Sequence, residues 1–265
     1  MGKNKLKKFA DMEGFSCVLQ YPRETVVSGE FPFRGKWSRE FFKNDNPIVL
    51  ELGCGKGEYT VALAKANQGR NYIGVDIKGA RMWRGAKTVE EEGMGNAAFL
   101  RTEIEYIDCF FDPGEVDEIW ITFPDPQMKK TRKRLTSTRF LHMYGKFLKP
   151  GGLLHLKTDS PFLYEYTRRL CELNGLEMTE NTDDLYGSGL ADEERSIKTF
   201  YESQWLSRGK KIKLITVRAG SLTNLREPEA DDIERDDYRA LPRFNEADAR
   251  MRLAVAEDGH LYSKD

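Results

Sequence analysis

The feature that most constrains the fold of this chain is a glycine-rich turn directly after a short apolar segment. Residues 48–50, Ile-Val-Leu, lead into the run ELGCGKG at residues 51–57, and the chain continues as Glu58-Tyr59-Thr60. A short β-branched run predicts a buried parallel strand, glycines allow a turn without side-chain bulk, and the next residues can start a helix. The pattern therefore predicts an α/β fold in which a ligand can approach the backbone of the turn.

The spacing of the glycines narrows the choice of ligand. The G-x-G-x-G run differs from the dinucleotide fingerprint G-x-G-x-x-G, and Gly57 is followed by Glu58-Tyr59, unlike a Walker loop, which ends in Gly-Lys-Ser/Thr. Carboxylates at Glu51 and Glu58 would repel a pyrophosphate, but they suit a ligand that carries an ammonium and a sulfonium. We therefore interpret the turn as a site for S-adenosylmethionine. The alternative is a packing turn that binds no ligand.

Two further acidic residues follow strand-like segments. Residues 72–75 predict a second strand that ends at Asp76, where a carboxylate can accept hydrogen bonds from both hydroxyls of a ribose. Glu103 follows the strand-like residues 97–100 and could meet the amino group of adenine. An acidic residue after a strand is also a common helix cap, so spacing alone leaves both roles open for Glu103.

Strand-like segments alternate with helical patterns along most of the chain. These segments are residues 48–52, 71–76, 97–101, 116–122, 152–158, 176–182 and 211–217. Residues 37–42 predict a short helix, and capping signals at Ser160-Pro161 and Asn174-Gly175 bound another one. The alternation predicts an α/β fold with a mostly parallel seven-stranded sheet and helices on both faces.

Charge divides the chain into regions. The formal net charge of the 265 residues is -1, but residues 221–265 hold seven Lys/Arg and twelve Asp/Glu, against thirty-five and thirty-one before them. We expect a basic, irregular N-terminal arm at residues 1–36, a methyltransferase domain at residues 37–219 and an acidic C-terminal extension at residues 220–265. The extension, which is helix-compatible near residues 245–256, is either a solvated, partly disordered appendage or a docking or regulatory segment.

Composition excludes several classes of protein. No apolar stretch approaches the ~20 residues that span a bilayer, and no signal-peptide segment follows the N-terminal lysines, so we expect a cytoplasmic protein. The cysteines lie at positions 17, 54, 109 and 171 and the histidines at positions 142, 155 and 260. Because the cysteines form no C-x-x-C pair and the histidines no ligand-spaced cluster, we expect neither disulfides nor a bound metal.

A second strong motif follows the fourth predicted strand. Residues 116–122 lead into Phe123-Pro124-Asp125-Pro126, and the run QMKKTRKR occupies residues 127–134. A carboxylate between two prolines has little conformational freedom, so Asp125 suits a group that must meet a substrate in fixed geometry, and it is our candidate catalytic residue. The five cations that follow predict a phosphate-binding loop, although a basic run by itself is more often a solvated face.

A second carboxylate follows the fifth predicted strand, which ends in Lys157-Thr158-Asp159. Because strand ends converge at one edge of a parallel sheet, Asp125 and Asp159 could flank a base and accept its hydrogen bonds. Asp159 could instead cap the helix beside Ser160. Further along, Thr199-Phe200-Tyr201-Glu202 precedes the basic residues 207–211, a combination that spacing alone describes as an amphipathic surface helix.

Together these motifs resemble the bacterial tRNA (guanine-N7-)-methyltransferase family across residues 34–218. The resemblance rests on Arg34-Gly35-Lys36-Trp37, the ELGCGKG loop, Gly74-Val75-Asp76, Phe123-Pro124-Asp125-Pro126 with its basic run, Lys157-Thr158-Asp159 and Thr199-Phe200-Tyr201-Glu202. It implies the Rossmann-like class I S-adenosylmethionine-dependent methyltransferase fold and methylation of N7 of guanine 46 in the variable loop of tRNA. Where the family usually has Trp after the second proline, this chain has Gln127-Met128, which affects loop packing or base stacking.

The resemblance also implies roles for individual residues. The implied cofactor contacts are Glu51, Asp76, Glu103 and Asp125, and they add to the contacts that the turn itself predicts at Gly53, Gly55 and Gly57. The implied substrate contacts are Lys129, Asp159, Thr199, Phe200, Tyr201 and Glu202. The implied RNA contacts are Thr131, Arg132, Lys133, Arg134, Leu135 and Thr136. The implied partner is tRNA, without a membrane or a metal, and the oligomeric state, monomer or homodimer, stays open.

The expected mechanism needs no general base. N7 of guanine carries an in-plane lone pair, so we expect Asp125 to position the base and to stabilise its developing positive charge, while Asp159 and Glu202 hold the base or the ribose. Two alternatives remain. The chain could methylate another RNA or a small molecule, or it could be a catalytically inactive RNA-binding subunit. Cofactor titration and mass analysis of tRNA nucleosides distinguish them.

Overall fold

Eight strands form one sheet in this computed structural model, which describes residues 3–237. The strands are β1 (Val18–Leu19), β2 (Ile48–Leu52), β3 (Asn71–Val75), β4 (Ala97–Leu100), β5 (Val116–Thr122), β6 (Leu148–Thr158), β7 (Glu177–Thr182) and β8 (Lys213–Arg218). Their order across the sheet is β1-β4-β3-β2-β5-β6-β8-β7. Neighbouring strands are parallel except at β8, which is antiparallel to both β6 and β7.

Helices precede or connect these strands. They are α1 (Lys3–Gly14), α2 (Arg23–Val27), α3 (Glu58–Ala66), α4 (Gly79–Glu92), α5 (Thr138–Tyr144), α6 (Pro161–Leu173) and α7 (Phe200–Leu206). Shorter helical turns span Trp37–Phe42, Ile104–Cys109 and Thr131–Lys133. The predicted caps of α6 are confirmed, because Ser160 Oγ accepts a hydrogen bond from Leu163 N at 2.9 Å and Pro161 is the first helical residue.

The sheet is buried on both faces. Every residue of β2 is buried, and alternate side chains of a strand point to opposite faces. Leu50 packs in the cluster that contains Phe140 of α5 and Leu163 of α6, whereas Val49 packs in the cluster that contains Met82 of α4. The predicted fold is therefore confirmed, with all seven predicted strands present. The sheet differs from the prediction by its eighth, two-residue strand β1, by an earlier start of β6 and by a later start of β8.

The N-terminal segment corrects the prediction of an irregular arm. Helix α1 packs beside α4, and β1 pairs in parallel with β4 at the edge of the sheet. Met12, Leu19 and Phe31 are almost fully buried. The elements of this segment escaped the sequence because a two-residue strand and a five-residue helix are too short to show a period.

The acidic extension begins later than predicted, because residues 220–237 pack against the domain. Glu227 accepts a hydrogen bond from Thr138 N at 3.0 Å, at the start of α5. Asp236 accepts hydrogen bonds from Ser160 Oγ and Phe162 N, at the start of α6. Ile233 is 8% exposed and joins the hydrophobic core. The predicted helix-compatible segment at residues 245–256 lies outside the described residues.

Within residues 3–237, no helix is both long enough and apolar enough to cross a bilayer. The same part of the chain holds no cluster of three or more His, Cys, Asp or Glu side chains that could bind a metal ion. All four cysteines are free thiols, and Cys109 is the one that is not buried.

Candidate active site

The carboxyl ends of the central strands open into a crevice of about 830 Å³. The glycine loop after β2 lines one side, and the Asp125 loop after β5 lines the adjoining side. Asp159 after β6 and the first residues of α7 complete the wall. This is the edge of an open α/β sheet at which ligands generally bind.

The glycine loop leaves space for a ligand at two of its three glycines. Gly53 and Gly55 line the crevice and have φ angles of +81° and +55°, which L side chains rarely adopt. A Cβ atom on Gly53 would have no neighbour within 4 Å, and one on Gly55 would meet only a backbone oxygen at 3.9 Å. A side chain at either position would therefore project into the crevice and occupy the space of a ligand.

Gly57 has a different reason to be glycine. It does not line the crevice, and a Cβ atom there would lie 2.6 Å from the Phe99 ring and 3.2 Å from Gly85 Cα. Its φ angle of +72° adds a second constraint. The position of Gly57 therefore supports a role in packing α3 against α4, in place of the cofactor contact that the glycine-rich turn predicted.

Glu51 is a buried carboxylate at the end of the crevice. It is 3% exposed and accepts hydrogen bonds from Thr60 N at 2.9 Å and Thr122 Oγ1 at 2.7 Å. Burial raises the pKa of Glu51 to about 7, because these hydrogen bonds only partly offset the loss of hydration and Asp76 adds a repulsive charge. A cationic ligand next to Glu51 would favour its ionised form.

Of the other three predicted cofactor carboxylates, Asp125 lines the crevice, whereas Asp76 and Glu103 do not. Asp76 holds the glycine loop, since its carboxylate accepts hydrogen bonds from Gly55 N at 3.0 Å and Lys78 N at 2.7 Å. Each oxygen of Asp76 keeps acceptor capacity for a further donor. Glu103 is exposed and precedes the helical turn that begins at Ile104. Their contacts with the cofactor stay predictions.

Glu58 links the glycine loop to the opposite wall of the crevice. Its Oε2 atom accepts a hydrogen bond from Phe200 N at 2.8 Å, at the first residue of α7. Lys56 of the same loop places its ammonium 4.4 Å from the centre of the Phe200 ring. Glu58, which the sequence assigned to a positively charged ligand, is therefore already engaged with the backbone of α7.

The Asp125 loop has an unusual backbone. Phe123 and Gln127, which bracket Pro124-Asp125-Pro126, have φ angles of +48° and +46°, although neither is glycine. A positive φ angle at a residue other than glycine costs conformational free energy, and such residues cluster at functional sites. Asp125 lines the crevice, is exposed, and accepts a hydrogen bond from Gln127 N at 3.0 Å through Oδ1. Its second oxygen is available to a substrate.

Arg134 supports this loop from below. It is 2% exposed, donates to the carbonyl oxygens of Pro126 and Gln127 at 3.2 Å, and donates to Met128 O at 2.9 Å. Its guanidinium lies 4.4 Å from the centre of the Tyr166 ring. The implied RNA contact of Arg134 is not supported by this position, because the buried guanidinium is used by the loop carbonyls.

The other residues implied to contact substrate or RNA in this segment lie partly on the surface and partly in the core. Lys129, Arg132 and Lys133 are exposed, and Lys133 lines the crevice together with the half-buried Leu135. Lys129 does not line the crevice, and the half-buried Thr131 starts the short helical turn. Thr136 is fully buried, with its hydroxyl 2.8 Å from that of Thr167, so its implied RNA contact is likewise unsupported.

Asp159 faces the crevice with a spare acceptor. It is 5% exposed, and its Oδ2 atom is buried without a hydrogen-bond partner among the described residues. Burial raises the pKa of Asp159 to about 6, and the neighbouring Asp236 adds to this effect while Lys210 and Lys213 oppose it. A buried carboxylate oxygen without a partner is costly, so the position favours a ligand that donates a hydrogen bond.

The segment Thr199–Glu202 divides in the same way. Thr199 caps α7 by accepting from Glu202 N at 3.1 Å, and Phe200 and Tyr201 line the crevice. Tyr201 is 54% exposed. The side chain of Glu202 is fully buried, 2.9 Å from Lys157 Nζ and 2.6 Å from Tyr186 Oη. A substrate contact by the Glu202 carboxylate is therefore not supported by its position.

Lys157, the buried partner of Glu202, is a residue that sequence reasoning left without a role. Its buried ammonium also donates to the carbonyl oxygens of Arg195 and Ile197 at 2.8 and 2.9 Å. Burial lowers the pKa of Lys157 and raises that of Glu202, while their mutual attraction opposes both shifts. The signal in the sequence was a lysine inside the apolar strand β6, because a buried lysine requires a partner.

Comparison with known proteins adds a family to this geometry. A family profile described as "Putative methyltransferase" matches residues 45–215. A tRNA (guanine-N(7)-)-methyltransferase of Porphyromonas gingivalis is 58% identical over 242 residues, which cover 90% of this chain and 99% of the relative. One of Bacteroides fragilis is 56% identical over 92% of this chain and 96% of the relative, and one of Bacillus subtilis is 34% identical over 71% and 88%.

Solved structures with little sequence similarity share the fold. The 16S rRNA methyltransferase KamB aligns with a TM-score of 0.52 and 14% identity over 77% of this chain and 96% of its own. An antibiotic-related methyltransferase aligns with the same TM-score and identity over 78% of this chain and 98% of its own. At this level of identity the likeness shows the class I methyltransferase fold alone.

Proposed function

Because the chain belongs to the tRNA (guanine-N7-)-methyltransferase family and is an S-adenosylmethionine-dependent enzyme, we propose that its crevice methylates guanine 46 in the variable loop of tRNA. The observation that carries the proposal is the unpartnered, buried Oδ2 atom of Asp159 in the same crevice as Asp125 and the glycine loop. Two carboxylates beside a cofactor loop form an acceptor-rich site, which suits a base with several hydrogen-bond donors.

The residues around the glycine loop fit the cofactor. S-adenosylmethionine supplies an electrophilic methyl group on a sulfonium. Gly53 and Gly55 leave room for it, Glu51 can face its positive charges, and Asp76 retains acceptor capacity for ribose hydroxyls. Glu103 would lie beyond Asp76 and accept from the adenine amino group. In this assignment Gly57 and Glu58 act through packing and through α7.

Guanine recognition follows from the acceptors. Guanine presents N1–H and a 2-amino group, whereas adenine has neither donor, so adenine would leave the buried carboxylate of Asp159 unpaired and would not engage the exposed carboxylate of Asp125. A site that loses such hydrogen bonds discriminates strongly against the wrong base. Tyr201, which is exposed at the rim, offers a ring on which the base can stack.

Asp125 acts by electrostatics. Since the N7 lone pair attacks without loss of a proton, no base has to be regenerated, and the base itself becomes positively charged. A carboxylate at Asp125 stabilises that charge as it develops, within a loop whose backbone is already fixed. The exposed cations Lys129, Arg132 and Lys133 bind phosphates of the same tRNA, and the enzyme acts in the cytoplasm.

The deciding experiment is methylation of an unmodified tRNA transcript with guanine at position 46, followed by mass analysis of its nucleosides. We expect 7-methylguanosine with this transcript and none with a matched transcript that has adenine at position 46. Asp125→Ala should lower turnover by ~100-fold or more while cofactor affinity stays within about twofold. Absence of 7-methylguanosine under conditions where tRNA binds would refute the proposal.

A further inference from the structure

Two neighbouring helices have their charges segregated along their length. In α1 every lysine precedes Asp11 and Glu13. In α4 the three cations Arg81, Arg84 and Lys87 precede three consecutive glutamates at residues 90–92. Each helix therefore has a basic first half and an acidic end.

The two helices lie side by side in the same direction. A Cβ atom on Gly79 would lie 3.0 Å from the Phe9 ring, Trp83 Nε1 donates to Asp11 Oδ2 at 2.9 Å, and Ser16 N donates to Glu90 Oε2 at 3.0 Å. Residues later in α1 and just after it thus contact residues later in α4, so the two helices are parallel. Because α4 starts at the crevice edge of the sheet, the basic halves of both helices lie at that edge and the acidic ends at the opposite one.

This order of charges is the reverse of what helix stability favours. The helix dipole favours anions at the N-terminus and cations at the C-terminus. Helix α3, between β2 and β3, follows the rule, with Glu58 in its first turn and Lys65 in its last. Helices α1 and α4 have no acidic residue in their first turns and no basic residue in their last. A local rule broken without a gain in stability marks a functional surface.

Partners explain the acidic ends and, among the cations, Lys87, which pairs with Glu91 at 3.4 Å. Glu90 accepts from Ser16, and Glu92 pairs with Lys65 at 2.7 Å. By contrast, the exposed Lys7, Arg84 and Arg81 form no ion pair with any carboxylate of residues 3–237. The same holds for Lys78 at the N-terminus of α4, which lines the crevice together with Arg81.

We propose that this surface, the basic helix pair formed by Lys7, Lys8, Lys78, Arg81 and Arg84, binds the phosphate backbone of tRNA outside the methylated loop. The inference rests on the proposed function. RNA is favoured as the occupant because Lys78 and Arg81 belong to both the crevice and the helix pair, so a polyanion seated in the crevice continues onto this surface. The basic run at Lys129–Lys133 flanks the crevice on its other side, and the tRNA spans both.

The test removes three charges that lie outside the crevice, in the variant Lys7→Gln/Lys8→Gln/Arg84→Gln. We expect tRNA to bind about 10-fold or more weakly at 0.1 M salt, with the slope of log K against log salt reduced by about two. The KM for tRNA should rise while kcat and the Kd for S-adenosylmethionine change little. The melting temperature should change little, because the helix dipole acts mainly on the first turn of a helix and the three side chains lie beyond it.

The matched control removes three exposed cations at the opposite edge, as Arg39→Gln/Lys43→Gln/Lys149→Gln. We expect its tRNA affinity to stay within about twofold of the unaltered protein. An equal loss in both variants would assign the effect to net charge and overturn the inference. Unchanged tRNA affinity in the test variant would also overturn the inference. So would a variant that loses affinity for phosphatidylserine vesicles but not for tRNA. If the unaltered protein makes no 7-methylguanosine, the proposed function fails instead.

Discussion

At the scale of single residues, the site is built from carboxylates that differ in what they already bind. Glu58 and Glu202 are engaged by the protein itself, through Phe200 N and through Lys157 with Tyr186. Asp125 and Asp159 keep acceptors that face the crevice. The sequence placed Glu58, Asp125 and Asp159 at the right edge of the sheet, whereas the role of Glu202 was implied only by the family resemblance. The sequence could not separate them, because the difference lies in partners that are distant along the chain.

Cofactor binding should be linked to a proton. Burial raises the pKa of Glu51 to about 7, and a bound cation would lower it by favouring the ionised form. Binding therefore releases a proton near and below pH 7, and the affinity should fall as the pH is lowered from about 8 to 6, by at most tenfold per pH unit. Calorimetric titration of S-adenosylmethionine in buffers of different ionisation enthalpy measures the release. The isosteric Glu51→Gln should abolish it, whereas release of equal size in Glu51→Gln would assign the proton to another group.

The same shift sets a sign for stability. Because the pKa of Glu51 is higher in the folded than in the unfolded chain, protonation of Glu51 favours the folded state. Its contribution to the free energy of unfolding is therefore greatest below the pKa of the unfolded form. That contribution is lost as the pH rises through about 7.

Removing one partner of the buried pair Lys157–Glu202 should destabilise the fold more than removing both. Lys157→Met leaves the Glu202 carboxylate buried without its cation, which should lower the free energy of unfolding by about 3–5 kcal/mol. Lys157→Met/Glu202→Leu removes both charges and should cost less than the single change. Urea unfolding of the variants measures these differences. Additive losses in the double variant would show that the two side chains do not act as a pair.

At the scale of elements, the Asp125 loop depends on a residue from the basic run that follows it. Arg134 joins three consecutive carbonyl oxygens of the loop and packs against Tyr166 of α6. The positive φ angles at Phe123 and Gln127 persist only if the surroundings hold them, and Arg134 is the most direct support.

Arg134→Lys should therefore affect catalysis rather than RNA binding. A lysine keeps the charge but lacks the planar fork that reaches all three carbonyls, so kcat should fall about tenfold or more. The salt dependence of tRNA affinity should not change. The exposed Arg132→Lys is the matched control and should retain kcat. A reduced salt slope in Arg134→Lys with normal kcat would restore the RNA contact that the sequence implied.

The elements that the sequence predicted best are those with a long or strongly apolar signal. The central strands β2, β3 and β5 agree with the predicted bounds to within a residue, because buried parallel strands are continuous apolar runs. Helix α6 was bounded by its caps. By contrast, β1 and α2 gain their stability from contacts with β4 and with the turn Ile104–Cys109, which no local pattern reveals.

At the scale of the whole molecule, acidic side chains near the C-terminus complete the domain. Glu227 and Asp236 satisfy backbone N–H groups at the starts of α5 and α6, and Leu222 and Ile233 extend the core. Composition alone suggested a solvated tail, because its apolar residues are few. It could not reveal these contacts, because the partners of the carboxylates lie on helices more than 60 residues earlier in the chain.

Truncation should reveal this dependence. A chain that ends at Gly220 loses both helix caps and the buried Leu222 and Ile233, so its melting temperature should fall by about 5 °C or more. A chain that ends at Asp237 keeps every one of these contacts and is the matched control. Equal melting temperatures for the two truncated chains would mean that residues 221–237 contribute nothing to stability.

The reversed charges of α1 and α4 set stability and substrate capture against each other. Each cation near the start of a helix is unfavourable by about 0.3–1 kcal/mol relative to an anion. Selection of variants for heat resistance alone would therefore favour acidic replacements at Lys78 and Arg81, which lie at the start of α4. Such variants would be more stable to heat but would bind tRNA more weakly. Thermostabilised forms of this enzyme should therefore be screened at low tRNA concentration, where tRNA binding limits the rate.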